Sequence, residues 1–235
     1  MAFVRGRRRS VSGAAITISG LEKAYGDRPA LHATDLTIAA GERVALIGHN
    51  GSGKSTLLRL LVGLLDPTGG TATIDHEPAG SLTARAAVSY LADQPVFYDD
   101  LSVSEHLEYV ARLHGVDAWH ERANALLDRV GLGARVDDLP TTFSRGLRQK
   151  AAICLAFVRP FAALVVDEPF VGLDAAGRDA LLALFDEAHD HGHTLIVATH
   201  ELATVAASDR VIALRDGHVV YDGPSDVDLA ALVGA

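Results

Sequence analysis

Short apolar runs alternate along the chain with longer stretches whose apolar residues recur every three or four positions, the pattern of an α/β domain. Ala15 to Ile18 and Leu31 to Ile38 predict strands, and Gly41 turns the chain into a compact apolar strand over Arg43 to Ile47. That strand runs straight into a glycine-rich loop. Leucines then crowd a helix expected over Lys54 to Leu65, stopped by Asp66-Pro67. Val88 to Leu91 predicts another short strand. From about Ser102 to Val158 the strand texture disappears. Ser102 and Glu105 form a capping-box pattern ahead of Leu107, Val110, Ala111 and His114 on one helical face. Asp117 is the expected cap of a second helix that stops at Gly131, and Ser144 opens a third. This block, about residues 95–160, reads as a helical subdomain inserted into the α/β core.

Strands return at Ala162 to Val166 and Thr194 to Ala198. Between them Asp174 caps a helix that turns Leu181, Leu184, Phe185 and Ala188 inward and ends at Gly192. Val211 to Leu214 and Val219 to Tyr221 flank Asp216-Gly217, a hairpin signal. No internal repeat is visible.

Composition narrows the function classes. The 21 basic and 30 acidic residues give a formal charge of −9, which argues against a general polyanion binder; no nucleic-acid partner is expected. A single cysteine, Cys154 in an apolar helical stretch, fits a reducing compartment and a packing role. The longest apolar run, Ala151 to Val158, is eight residues, against the ~20 needed to cross a bilayer. Arg5-Gly6-Arg7-Arg8-Arg9 sits in a basic tail, residues 1–13, expected to be solvated and disordered. The His189-Asp190-His191-Gly192-His193 cluster falls at a predicted helix end, where histidines suit the dipole, and is read as a helix terminus rather than a metal site.

Gly48-His49-Asn50-Gly51-Ser52-Gly53-Lys54-Ser55, followed by Thr56, is a phosphate-binding loop in the strand–loop–helix context that such a loop requires. The glycines let backbone N–H groups converge on phosphate oxygens at the positive end of the helix. Lys54 is expected to reach the β- and γ-phosphates, and Ser55 to ligate Mg²⁺. Leu164-Val165-Val166-Asp167-Glu168 ends a buried strand in two carboxylates. Asp167 is placed to hold Mg²⁺, and Glu168 to polarise an attacking water.

With these two motifs in place the chain resembles the ATP-binding cassette (ABC) family. Phe143-Ser144-Arg145-Gly146-Leu147-Arg148-Gln149 is similar to its signature, usually Leu-Ser-Gly-Gly-Gln, with Phe143, Arg145 and Leu147 as departures. Gly172-Leu173-Asp174 resembles the D-loop, His200 the switch histidine, and Tyr25 the aromatic residue that stacks on adenine. The match covers roughly residues 14–225, with 226–235 as a short C-terminal tail.

The resemblance implies a P-loop NTPase fold of ABC type, with an N-terminal antiparallel β subdomain and the inserted helical subdomain. It also implies an ATPase that uses ATP and Mg²⁺. Two such subunits, identical or homologous, would pair head to tail, so that Ser144, Arg145 and Gly146 act on the partner's nucleotide. Closure of the pair, linked through Asp174, would drive a separate membrane-spanning permease from the inner face of the cell membrane. The Tyr98-Asp99-Asp100-Leu101 run and the compact size are similar to single-domain subunits of bacterial ABC-2 exporters. A soluble ABC-type ATPase acting in translation or DNA repair is the alternative; neither a second cassette nor heptads support it. A family glutamine that reaches Mg²⁺ falls in Tyr90-Leu91-Ala92-Asp93-Gln94-Pro95. Ungapped spacing puts Asp93 in that role, directed at Mg²⁺, and Gln94 toward the docking groove.

Overall fold

A computed structural model describes residues 13–226. The basic tail expected over residues 1–13 and the tail over 226–235 therefore lie outside the described residues, apart from their innermost positions.

Two sheets organise the chain. In the first, β1 (Ile16–Tyr25) pairs antiparallel with β2 (Arg28–Ile38) and with β4 (Gly69–Ile74), and β4 also pairs with β5 (Glu77–Pro78). The second has six strands in the order β10-β9-β3-β8-β7-β6, where β3 is Arg43–Ile47, β6 Val88–Leu91, β7 Ala163–Asp167, β8 Thr194–Ala198, β9 Arg210–Arg215 and β10 His218–Pro224. Strands β9, β3, β8, β7 and β6 run parallel, and β10 returns antiparallel through the Asp216-Gly217 turn, both residues at positive φ. Every residue of β3, β7 and β8 is buried, which is why they read as unbroken apolar runs rather than as alternation.

Helix α1 (Lys54–Leu61) lies between the two sheets and buries Leu57, Leu58, Leu60 and Leu61 in one core with Ile16, Ile74, Val44 and Ile212. A second core joins the other face of the six-stranded sheet to α3 (Val103–Leu113), α4 (Trp119–Val130), α5 (Arg145–Val158) and α6 (Ala175–Asp190). Leu107, Trp119, Ile153, Cys154, Leu181 and Phe185 are buried there. Burial pushes the Cys154 thiol up to about 12, so it packs as a small hydrophobe. Short helices α2 (Leu82–Ala87) and α7 (Leu202–Ala206) complete the layers. No helix among the described residues is long and apolar enough to cross a membrane.

Several local expectations need correction. Helix α1 ends at Leu61, not Leu65, because Gly63 takes a positive φ of 68° and the backbone bonds of Leu64 and Leu65 turn back to Arg59. Asp117 does not cap α4; Ala118 stands at that position with no side-chain bond to the helix. Strand β1 continues past Ile18 to Tyr25, its pairing with β2 shifting between Ile18 and Leu21 around Gly20 at φ 55°. The capping box at Ser102 and Glu105 is formed in both directions.

Candidate active site

Strand β3 delivers the chain at Gly48 into a loop that wraps over the N-terminus of α1. Gly48 has φ 149°, and a Cβ there would meet the carbonyl oxygen of Leu214 at 2.2 Å, so neither backbone nor space admits a side chain. Lys54 is 6% exposed and donates from Nζ to the carbonyl oxygens of Gly48 at 2.6 Å and His49 at 3.4 Å. Its ammonium is thus held over the loop. The β9–β10 hairpin buttresses the same loop through Gly217 N–H to Ser52 O at 3.0 Å and His49 Nε2 to Asp216 Oδ1 at 3.4 Å.

The resulting cleft holds about 360 Å³. It is lined by the loop from His49 to Thr56, by Ala30 of β2, and by Asp93, Asp167 and Glu168. Asp167, at the end of β7, is 1% exposed, yet neither carboxylate oxygen has a hydrogen-bond partner. Burial raises its carboxyl, opposed by Ser55, Arg59 and Lys54, while the Asp93 charge adds to the rise. Two orphaned buried carboxylate oxygens beside a serine hydroxyl form an oxygen donor set suited to Mg²⁺. Asp167, Ser55 and Asp93 would hold the ion, which would offset negative charge on the phosphates.

Glu168 follows in left-handed backbone at φ 44°, uncommon for a residue with a side chain. Its N–H donates to Ala198 O at 2.9 Å on the neighbouring strand. Its Oε1 lies 3.1 Å from His200 Nε2 and 3.6 Å from Lys54 Nζ. Burial raises the carboxyl, and His200 and Lys54 pull it back. A carboxylate partly stripped of water suits a general base.

The remaining candidates lie elsewhere. Tyr25 is 51% exposed at the end of β1, with Lys23 Nζ 5.5 Å from its ring centroid. Ser144, Arg145 and Gly146 open α5 and do not line the cleft of their own chain. The Ser144 hydroxyl accepts from Leu147 N–H at 3.4 Å. Asp174 caps α6 through Gly177 N–H at 2.8 Å and takes an ion pair from Lys150 at 2.9 Å, which holds its carboxyl below the usual range. Asp93 lines both the cleft and a neighbouring groove formed with Val96, Phe97, Arg145 and Arg148; Gln94 lines the groove and not the cleft. Ala30 and Asp216 escaped sequence reasoning. Nothing in a small strand residue or a turn aspartate announces contact with a phosphate loop.

The profile of a family described as ABC transporter matches residues 31–171. The ABC-type transporter ATP-binding protein EcsA of Bacillus subtilis (strain 168) is 34% identical over 212 residues, 87% of this chain and 85% of that protein. The aliphatic sulfonates import ATP-binding protein SsuB 1 of Burkholderia lata is 36% identical over 223 residues, 93% of this chain and 66% of that protein. The macrolide export ATP-binding/permease protein MacB 1 of Aeromonas hydrophila is 34% identical over 220 residues; the chain spans only 34% of its length. A solved ATP-binding subunit of an ABC transporter superposes with a TM-score of 0.86 at 31% identity, covering 92% of this chain and 97% of that one. A dimeric ATP-binding cassette in a post-hydrolysis state with ADP and Pi superposes at 0.82 and 25% identity, covering 91% and 100%.

Proposed function

The chain belongs to the ABC transporter family and is an ATPase, and we propose that it powers a separate membrane-spanning permease as that permease's ATP-binding subunit. The observation that carries this reading is the convergence of Lys54, Ser55, Asp167 and Glu168 on one cleft while Ser144 and Gly146 stand away from it. A site so divided needs a second chain, identical or homologous, to supply the first turn of α5.

In this reading adenine stacks on Tyr25, and the loop from Gly48 to Thr56 receives the phosphates. Glu168 takes the proton of the attacking water, and His200 contacts the γ-phosphate. Ser144 and Gly146 of a head-to-tail partner cover the same nucleotide, and Asp174 links the two sites. Mg²⁺ held by Ser55, Asp167 and Asp93 supplies charge compensation on the phosphates.

The chain then works in the cytoplasm, bound to the inner face of the cell membrane through its permease. The docking face is the helical subdomain with the loop Asp93 to Asp100, where Gln94, Val96 and Phe97 line one groove and Val96 and Phe97 also border a second, of about 420 Å³, with Tyr90 and Leu155. We assign the direction as export on the likeness of the Tyr98-Asp99-Asp100-Leu101 run to ABC-2 subunits. Relatives named for import and for export both match the chain, so direction rests on a transport assay. Co-expression with a candidate permease tests the whole reading. The chain should sediment with membranes only when that permease is present, and its ATPase rate should rise there. Equal activity and no membrane recruitment would instead favour the soluble ABC-type ATPase.

A further inference from the structure

Arg145 and Asp93 lie 52 residues apart, one opening α5 in the helical block and the other on the loop leaving β6 of the core. Arg145 Nη2 donates to Asp93 Oδ1 at 2.8 Å, so this ion pair ties the helical block to the core at the nucleotide cleft, apart from those of Lys150 with Asp174 and Arg129 with Glu187. The carboxylate it holds lines the nucleotide cleft beside Ser55, Asp167 and Glu168. Asp93, Asp167 and Glu168 thus share with Lys54 the lining of a cleft that has to receive a triphosphate. Arg145 and Asp93 set one charge of each sign at the wall of that cleft. Both residues stand where the family pattern has uncharged ones, glutamine and glycine, and the two departures carry opposite charges.

We propose that Arg145 is a positioning residue that acts within its own chain, holding Asp93 at the cleft wall through Oδ1 and balancing its charge, so that the phosphates meet one unbalanced negative charge fewer while Oδ2 stays open toward Mg²⁺. The proposal rests on the nucleotide-binding reading above and goes beyond it by moving Arg145 from the partner's nucleotide to its own. Within its own chain the contact that Arg145 makes is with Asp93.

Both side chains are partly exposed, 52% for Arg145 and 31% for Asp93, so substitution leaves the core untouched. The test is binding of the Mg²⁺ complex of a non-hydrolysable ATP analogue, at a concentration where sedimentation shows a monomer. Arg145→Gln should weaken binding by on the order of fivefold, the reach of one partly exposed charge. In an Asp93→Asn background the same substitution should have almost no effect, since no charge remains to neutralise. Arg145→Lys, which keeps the charge, should stay within about twofold of the parent. An equal loss in the Asp93→Asn background, a lysine variant as weak as the glutamine one, or a loss seen only in dimers would each overturn the proposal. Hydrolysis of MgATP by the unsubstituted chain is read separately, so an active chain indifferent to Arg145→Gln sinks this inference alone.

Discussion

His200 Nε2 lies 3.1 Å from Glu168 Oε1, and Lys54 Nζ lies 3.6 Å from the same oxygen. One carboxylate oxygen therefore faces two nitrogens that are themselves suited to phosphate. On the proposed roles, phosphates entering the cleft would compete for both and release Glu168, which sits in left-handed backbone and lines the cleft. The proposed general base would then be restrained before the substrate arrives and exposed by it.

Glu168→Gln should accordingly bind MgATP with little change and hydrolyse it about 10²- to 10⁴-fold more slowly, the range for losing a general base. Analytical sedimentation should show an ATP-bound dimer accumulating. Near-normal turnover removes Glu168 from this role.

Asp167 gives a stability prediction whose sign follows from burial. Its carboxyl is raised in the fold, so the protonated form is favoured there. That contribution is fully present below the unfolded value of about 3.9 and is lost as pH rises through the folded value. At pH 7 the bare charge opposes folding. Asp167→Asn should raise Tm by on the order of a few degrees at pH 7, with the gain fading below about pH 4. ATPase activity should collapse in the same variant. A lower Tm at pH 7 contradicts the argument.

Gly146 has a role in its own chain as well as the proposed one across the dimer. A Cβ there would stand 2.2 Å from Gly172 O, in the turn that leads to Asp174. Gly146→Ala must push α5 from that turn, at a cost of about 1–3 kcal/mol typical of overpacking. Thermal unfolding should register the loss, and ATPase activity should fall with it as Asp174 is displaced. An alanine variant with unchanged Tm would mean the two segments part freely.

Much of this architecture was legible because burial on both faces leaves an unmistakable record. Strands β3, β6 and β8 fall at the residues where apolar runs begin and end. Side-chain caps at Ser102, Ser144 and Asp174 were equally plain, since each bonds a backbone N–H three residues on. Strands β4 and β5 and helix α2 left no such trace. Gly69-Gly70 opens β4 and leaves only Ala72 and Ile74 to alternate inward, β5 has two residues, and α2 buries only Ala84 while Leu82 is 86% exposed, so each pattern is too short to read. Within the site, the loop and the carboxylates of β7 are contiguous motifs and could be read. The Arg145–Asp93 contact spans 52 residues and depends on how the helical block folds back. Spacing along the chain carries no signal for it.

Ser144 and Gly146 stand outside the cleft of their own chain, so on the proposed divided site the rate of hydrolysis would depend on concentration. The specific ATPase rate should rise with protein concentration, or on adding the permease, as mass action forms the complete site. Fast, concentration-independent hydrolysis by a proven monomer would falsify the divided site.

Asp93 and Gln94 are adjacent, but only one of them reaches the nucleotide cleft. Asp93 lines the cleft with Ser55 and Asp167 and also the groove of Val96 and Phe97, whereas Gln94 lines that groove and not the cleft. A carboxylate near the γ-phosphate is repulsive unless a cation stands between them, so its use there implies Mg²⁺. Asp93→Ala should therefore weaken the Mg²⁺ dependence of hydrolysis, moving the half-saturating Mg²⁺ concentration upward while binding of Mg²⁺-free ATP holds or improves. Gln94→Ala should leave the basal rate of the isolated chain alone and reduce its stimulation by the permease. Titrating Mg²⁺ against ATPase rate, with and without permease, separates the two. If Gln94→Ala shifts the Mg²⁺ curve and Asp93→Ala affects only stimulation, the loop turns by one residue when nucleotide binds, and the glutamine takes the place assigned to Asp93.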